Sequence, residues 1–164
     1  MSVPAQAPDR ARARGWALVA AQVVLLGILV LAPAGHSWPR PAALRTLGSV
    51  LRSAGAVAIV AGAVALGRSL RVHPEPPASA VLRTGGAYRL VRHPIYSGVL
   101  ALAAGIAVSS GNPVKAAAAV ALAGVFHAKA SLEEGLLRSR FPGYAAYAAR
   151  TGRFVPRLRP GGSH

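Results

Sequence analysis

Four long apolar blocks, separated by arginine-rich or proline-rich connections, set the main limit on what this chain can fold into. Trp16–Ala34 carries no charged side chain. It is long enough to cross a hydrocarbon core, which takes about 20 apolar residues. Leu47–Leu66 follows, broken only by Arg52, and its glycines Gly48, Gly55 and Gly62 recur every seven residues. Such a stripe would let another helix approach closely, although an Ala/Gly-rich segment can also produce it by chance. Ile95–Ser109 and Val114–Ala130 are joined by Ser110-Gly111-Asn112-Pro113, a tight-turn sequence that predicts a helical hairpin. The first hairpin arm is short for a full span, which local thinning of the bilayer would accommodate. Lys115, next to the turn, is expected to snorkel outward.

The composition agrees with a membrane chain. Apolar residues make up 53%, aromatics 5% and charged residues 14%, below the charged share of ordinary soluble domains. The net charge of +15 would normally raise nucleic-acid binding. Here the basic residues cluster at 10–14, 68–92 and 138–159, flanking the apolar blocks. In that position they orient helices and meet anionic headgroups, so membrane lipids are the expected partner and nucleic acid is not. The chain has no cysteine, which excludes disulfides, thiolate metal sites and cysteine nucleophiles. No metal site is expected.

These blocks predict an all-α integral membrane protein of about four transmembrane helices with a C-terminal cytoplasmic helical segment. Residues 1–15 read as a disordered cytosolic tail and 16–67 as two N-terminal spans. Residues 68–158 form the region with the hairpin and the chemistry-bearing motifs, and 159–164 a second disordered tail. The first span has a rival reading. Basic residues, an apolar stretch and Ala32-Pro33-Ala34 resemble a signal peptide with its cleavage site, but further spans follow and an uncleaved helix is the reading adopted. Four spans place both termini on one side, together with the 68–92 connection. That side holds most arginines, whereas the opposite loops hold Arg40 and Arg45. The positive-inside rule makes it cytoplasmic, in an inner, multi-pass location.

Three clusters on that surface carry chemistry. The first runs from Gly85 to Gly98 and contains Tyr88, Arg92, His93, Pro94 and Tyr96. Pro94 suits the first turn of a helix, and the free amides of such a turn favour an anionic group. His93, the helix mouth and Tyr96 could hold a ligand carboxylate. The structural alternative, which the residue types alone favour, is that Arg92, His93 and Tyr96 are interfacial anchors. The second cluster holds Glu133 and Glu134, two of only four acidic residues in the chain. Acidic groups at a membrane boundary are costly unless paired or useful, and a carboxylate here could meet an ammonium or a sulfonium. A capping box, Ser131-x-x-Glu134, and a Glu134–Arg138 pair are the structural alternatives. The third cluster is Tyr144 and Tyr147, three apart and so on one helical face, followed by Arg153-Phe154-Val155-Pro156. These aromatics could lie at the interface or stack on an adenine.

Taken in order, the clusters resemble the isoprenylcysteine carboxyl methyltransferase family and, more broadly, the membrane methyltransferases that include phospholipid N-methyltransferases. The shared pattern is Gly86-x-Tyr88-Arg89-x-x-Arg92-His93-Pro94-x-Tyr96-x-Gly98, a hairpin, Glu133-Glu134-x-x-Leu137, the Tyr144/Tyr147 pair, and Arg153-Phe154-x-Pro156. Ala87 stands where a proline is often found. The resemblance implies S-adenosylmethionine as methyl donor, with a lipophilic or small carboxylate, thiol or amine acceptor. It implies a cofactor pocket from Tyr88, Arg92, His93, Pro94, Tyr96, Glu133, Glu134 and Tyr147. Glu134 and Arg153 are the implied catalytic pair, with Glu134 or His93 as base if an amine is methylated. A sterol-reductase-like NADPH enzyme and a non-catalytic membrane module are the rival classes.

Overall fold

The computed structural model describes residues 6–67 and 82–157. The described residues are helical, with one isolated backbone bridge between Val91 and Gly152. Five α-helices follow in order: α1 (Gln6–Leu31), α2 (Ala42–Leu66), α3 (Pro94–Ser110), α4 (Pro113–Arg140) and α5 (Tyr144–Arg150). A 3-10 turn over Gly86–Arg89 leads into α3. The proline-rich connection centred on His73–Pro77 and the extreme tails lie outside the described residues.

α1 and α2 are long and apolar enough to cross a membrane, and α3 is apolar but shorter. Their apolar side chains are largely uncovered by protein: Leu31 is 82% exposed and Val64 75%. A soluble core helix would bury such residues, whereas lipid leaves them in place. α1 begins at Gln6, inside the segment expected to be a disordered tail, because its alanines and arginines are strong helix formers.

α4 is continuous over 28 residues, about 42 Å of helix, which exceeds a hydrocarbon core of about 30 Å. Its C-terminal third therefore carries Glu133 and Glu134 beyond the apolar block without a break. The capping-box alternative falls here. Ser131 lies inside the helix, its hydroxyl donating to the His127 carbonyl at 2.9 Å. The Glu134–Arg138 contact does form, at 3.6 Å.

α2 packs along α3, α3 against α4, and α4 against α1. The seven-residue glycine stripe is the reason for the first contact. A Cβ on Gly55 would fall 2.5 Å from the Gly98 carbonyl oxygen, and one on Gly48 2.8 Å from that of Gly105. Gly62 faces Pro94 and Ile95 in the same way. The core lies on the other flank, where Leu29, Ala103, Ala118, Leu122 and Phe126 from α1, α3 and α4 meet.

The α3–α4 hairpin forms as the turn residues require. Gly111 adopts φ 64°, the left-handed conformation that ends α3 at little cost for glycine. Asn112 caps α4 by accepting from the Val114 amide at 2.8 Å, and Pro113 occupies the first turn. The α1–α2 loop locks onto this turn. Gly35 donates to the Ser110 carbonyl at 2.9 Å and Asn112 Nδ2 to that of Pro33 at 2.8 Å. Lys115 does not snorkel freely beside it, since it is only 8% exposed.

Candidate functional site

At the opposite end of the bundle, one buried carboxylate gathers three segments. Glu134 is 0% exposed. Its Oε1 accepts from Arg92 Nε at 3.0 Å, from Arg153 Nε at 3.0 Å and lies 3.2 Å from His93 Nε2; its Oε2 accepts from Arg153 Nη2 at 2.9 Å. Arg92 also donates to the carbonyls of Ala148 and Thr151. Parallel backbone bonds, Arg92 N to Gly152 O at 2.8 Å and His93 N to Arg153 O at 3.1 Å, fix the α5 exit against the α3 entry. A carboxylate has about four lone-pair sites, and four contacts within hydrogen-bond distance meet this one, three on Oε1 and one on Oε2.

Glu133 has a different setting. It accepts from the Tyr96 hydroxyl and lies 3.4 Å from His93 Nδ1, with its side chain 20% exposed. The His93 and Tyr96 rings stack at 5.4 Å, Tyr96 stacks on Phe126 at 4.6 Å, and Phe154 tilts against His93 at 5.9 Å. An aromatic ladder thus runs from the apolar core to the twin glutamates. Tyr147 donates to the Tyr88 carbonyl at 2.6 Å, pinning α5 to the 3-10 turn. Residues near 90 and near 134, far apart in sequence, therefore share one polar cluster at the end of an apolar bundle.

A model of the phospholipid methyltransferase family matches residues 44–143. The chain belongs to this family. The chain is also 41% identical over 81 residues to the cobalt-zinc-cadmium resistance protein CzcN of Cupriavidus metallidurans. That stretch is 47% of this chain and 36% of the relative, so the chain spans about a third of the length of that protein. The family is one of membrane methyltransferases, in keeping with the exposed apolar helices.

Burial acts to raise the Glu134 carboxyl. Hydrogen bonds from His93, Arg153 and Arg92 outweigh it and hold the group well below the usual carboxylate range. Burial acts to lower His93, but hydrogen bonds to Glu133 and Glu134 win and raise it. Both His93 nitrogens face carboxylates, which only the imidazolium satisfies as donor twice. Tyr88 is pushed up to about 12 by burial and by the Glu133 charge. Tyr144 and Tyr147 are pushed up to about 12, chiefly by burial. All three phenols stay protonated at neutral pH.

The residues singled out in the sequence meet here. Tyr88, Arg92, His93, Tyr96, Glu133, Glu134, Tyr147 and Arg153 are joined by the contacts above. Pro94 is buried in the first turn of α3 under Gly62, where a Cβ would sit 3.2 Å from the Ile95 amide. Protein therefore covers part of the helix mouth that could have received an anion. Sequence reasoning missed Phe126, Lys129, Thr151 and the α1 residue Gln22, which donors and rings draw into the same neighbourhood. Lys129 carried a visible signal, a charge four residues before Glu133 inside an apolar block. Tyr144 places its hydroxyl where no described group answers it, an exception to the pairing of buried polar atoms. No three His, Asp or Glu side chains among the described residues are set to hold a metal ion.

Proposed function

We propose that this membrane methyltransferase uses S-adenosylmethionine to methylate a lipophilic acceptor at the cytoplasmic face. One observation carries the reading: His93 and Tyr96, at the entry of α3, sit on Glu133 and Glu134 of α4. Bound S-adenosylmethionine supplies an electrophilic methyl group on a sulfonium centre. The donor set fits such a ligand. Glu133 is the carboxylate of the cluster that retains exposure, so it suits a ligand ammonium. The Phe154 ring, only tilted against His93, offers a face that attracts cations. Glu134, saturated and ionised, is a positioning residue that holds Arg92, His93 and Arg153 in register. It makes a poor base, because a base should have a pKa near the working pH. The exposed edge of Arg153, whose side chain is 24% exposed, is set to meet a ligand carboxylate.

The chain's part in the reaction is orientation and exclusion of water, which can lower a displacement barrier by several kcal/mol, about 7–11 in favourable cases. Lipid-exposed apolar helices suit sideways entry of the acceptor. The membrane arrangement belongs to the same proposal: four passes by α1 to α4, both termini and the site on the arginine-rich cytoplasmic side, and the residue 68–158 region as the methyltransferase core.

The deciding experiment is transfer of labelled methyl from S-adenosylmethionine into membrane extracts, with the product identified by mass. Calorimetry with S-adenosylmethionine and with NADPH accompanies it. Binding of NADPH alone, or of neither, would sink the methyltransferase reading.

A further inference from the structure

Lys129 is one of the most deeply buried charged side chains in the bundle, at 2% exposure. Its Nζ donates to Gln22 Oε1 of α1 at 2.7 Å. It lies 5.3 Å from the centroid of the Tyr96 ring and 5.9 Å from that of Phe126. Among the described residues it forms no ion pair. Glu133 follows four positions later on α4, a spacing at which lysine and glutamate commonly pair. Instead Glu133 engages the Tyr96 hydroxyl and His93. Tyr96 thus divides the two charges, with the ammonium against its ring and the carboxylate on its hydroxyl.

A buried ammonium among neutral partners is costly. Ionisable groups inside membrane bundles mark ligand paths. The ammonium has three donors, and Gln22 takes one. We infer that Lys129 Nζ receives an anionic oxygen group of the methyl acceptor, a carboxylate or a phosphate. The inference rests on the methyltransferase reading above and adds the charge of the acceptor to it. Glu133 suits the cationic end of one ligand, and Lys129, across Tyr96, suits the anionic end of the other. Gln22 lies in α1, outside the matched residues 44–143, so a helix beyond the family match builds this half of the site.

The test places the full chain in phosphatidylcholine nanodiscs and measures binding of dodecanoate, dodecyl phosphate and dodecanol. Wild type is expected to favour at least one anion over dodecanol by about tenfold or more. Lys129→Gln should lose that preference, Lys129→Arg should keep it within about threefold, and dodecanol should bind all three proteins alike. Lys129→Gln should melt no lower than wild type, because an unpaired buried charge has gone. The better-held anion tells a carboxylic acid from a phospholipid phosphate. Equal binding of all three probes by wild type would overturn the inference. So would an intact anion preference in Lys129→Gln. A fall in melting temperature shared by Lys129→Gln and Gln22→Ala, with no change in probe preference, would make Lys129 a mere link between α1 and α4. Titration of S-adenosylmethionine into the same nanodiscs separates the two readings. Anion preference without cofactor binding would overturn the methyltransferase reading and not the anion site.

Discussion

Arg153 grips Glu134 through two parallel hydrogen bonds, Nε to Oε1 at 3.0 Å and Nη2 to Oε2 at 2.9 Å. Forked pairs of this kind are directional as well as strong. The segment after α5 is thereby bound to α4, and through Arg92 and His93 to the start of α3. Glu133, one residue earlier, faces outward to Tyr96 and retains exposure. Adjacent carboxylates in one helix turn thus have separate surroundings.

That division predicts opposite outcomes for two conservative substitutions. Glu134→Gln leaves Arg92, Arg153 and His93 without their shared anion. Removing one partner of a buried pair costs about 3–5 kcal/mol, with the lower end expected because Arg153 is partly solvated. The variant should melt markedly lower in detergent. Glu133→Gln should melt close to wild type but bind S-adenosylmethionine about tenfold more weakly, as expected for loss of a charge-assisted contact. Melting curves and calorimetry on both proteins decide the matter; a Glu134→Gln protein as stable as wild type would refute the clasp.

Stability should pass through a maximum in mildly acidic solution. Glu134 is held below its ordinary 4.5, so its contribution is present above that value and is lost as pH falls through the lowered one. His93 is raised above 6.5, so its contribution is complete below 6.5 and is lost as pH rises through the raised value. Both are present together between about 4.5 and 6.5. His93→Gln should abolish the fall on the alkaline side while leaving the acid limb. Melting temperature against pH for the two proteins checks this.

Much of this was legible in the sequence, and what was not has physical causes. The Gly48/Gly55/Gly62 stripe and the Gly111-Asn112-Pro113 turn depend on local sterics, so they read directly from residue type. The three motif clusters marked residues that the fold brings into contact around Glu133 and Glu134. They could not show that Glu134 would be saturated and Glu133 accessible, since neighbours on one helix differ only in the direction each faces. Lys129 and Gln22 meet across α1 and α4, a pairing set by helix packing that no local pattern records. The start of α1 at Gln6 lies within a segment whose arginines and prolines suggest a tail, although arginine's helix propensity is high.

The glycine stripe predicts a strongly position-dependent alanine scan. A Cβ on Gly55 meets the Gly98 carbonyl oxygen at 2.5 Å and the Leu102 amide at 2.8 Å, both rigid backbone. Gly55→Ala should push α2 off α3 and cost about 1–3 kcal/mol. Gly98→Ala should act alike, its Cβ falling 2.6 Å from the Gly55 carbonyl oxygen. Gly27→Ala, in α1 with nothing within 4 Å, should be neutral or stabilise by up to about 1 kcal/mol through helix propensity. Thermal melts of the three variants rank them, and equal behaviour of Gly55→Ala and Gly27→Ala would contradict the α2–α3 contact.

Tyr96 aims Glu133, and a double-mutant cycle can isolate that action. Tyr96→Phe keeps the ring that stacks on His93 and Phe126, so folding should be little affected. It removes the hydroxyl that donates to Glu133, leaving the carboxylate held by His93 Nδ1 at 3.4 Å alone. If the hydroxyl works only by orienting Glu133, Tyr96→Phe should lower S-adenosylmethionine affinity by about three- to tenfold, the net value of one ordinary hydrogen bond. In the Glu133→Gln background the same change should then cost almost nothing, because the group it orients no longer carries charge. Such non-additivity is the signature of residues acting as a unit. Full additivity would mean that the Tyr96 hydroxyl touches the ligand itself, and would make it a binding group in place of a positioning one.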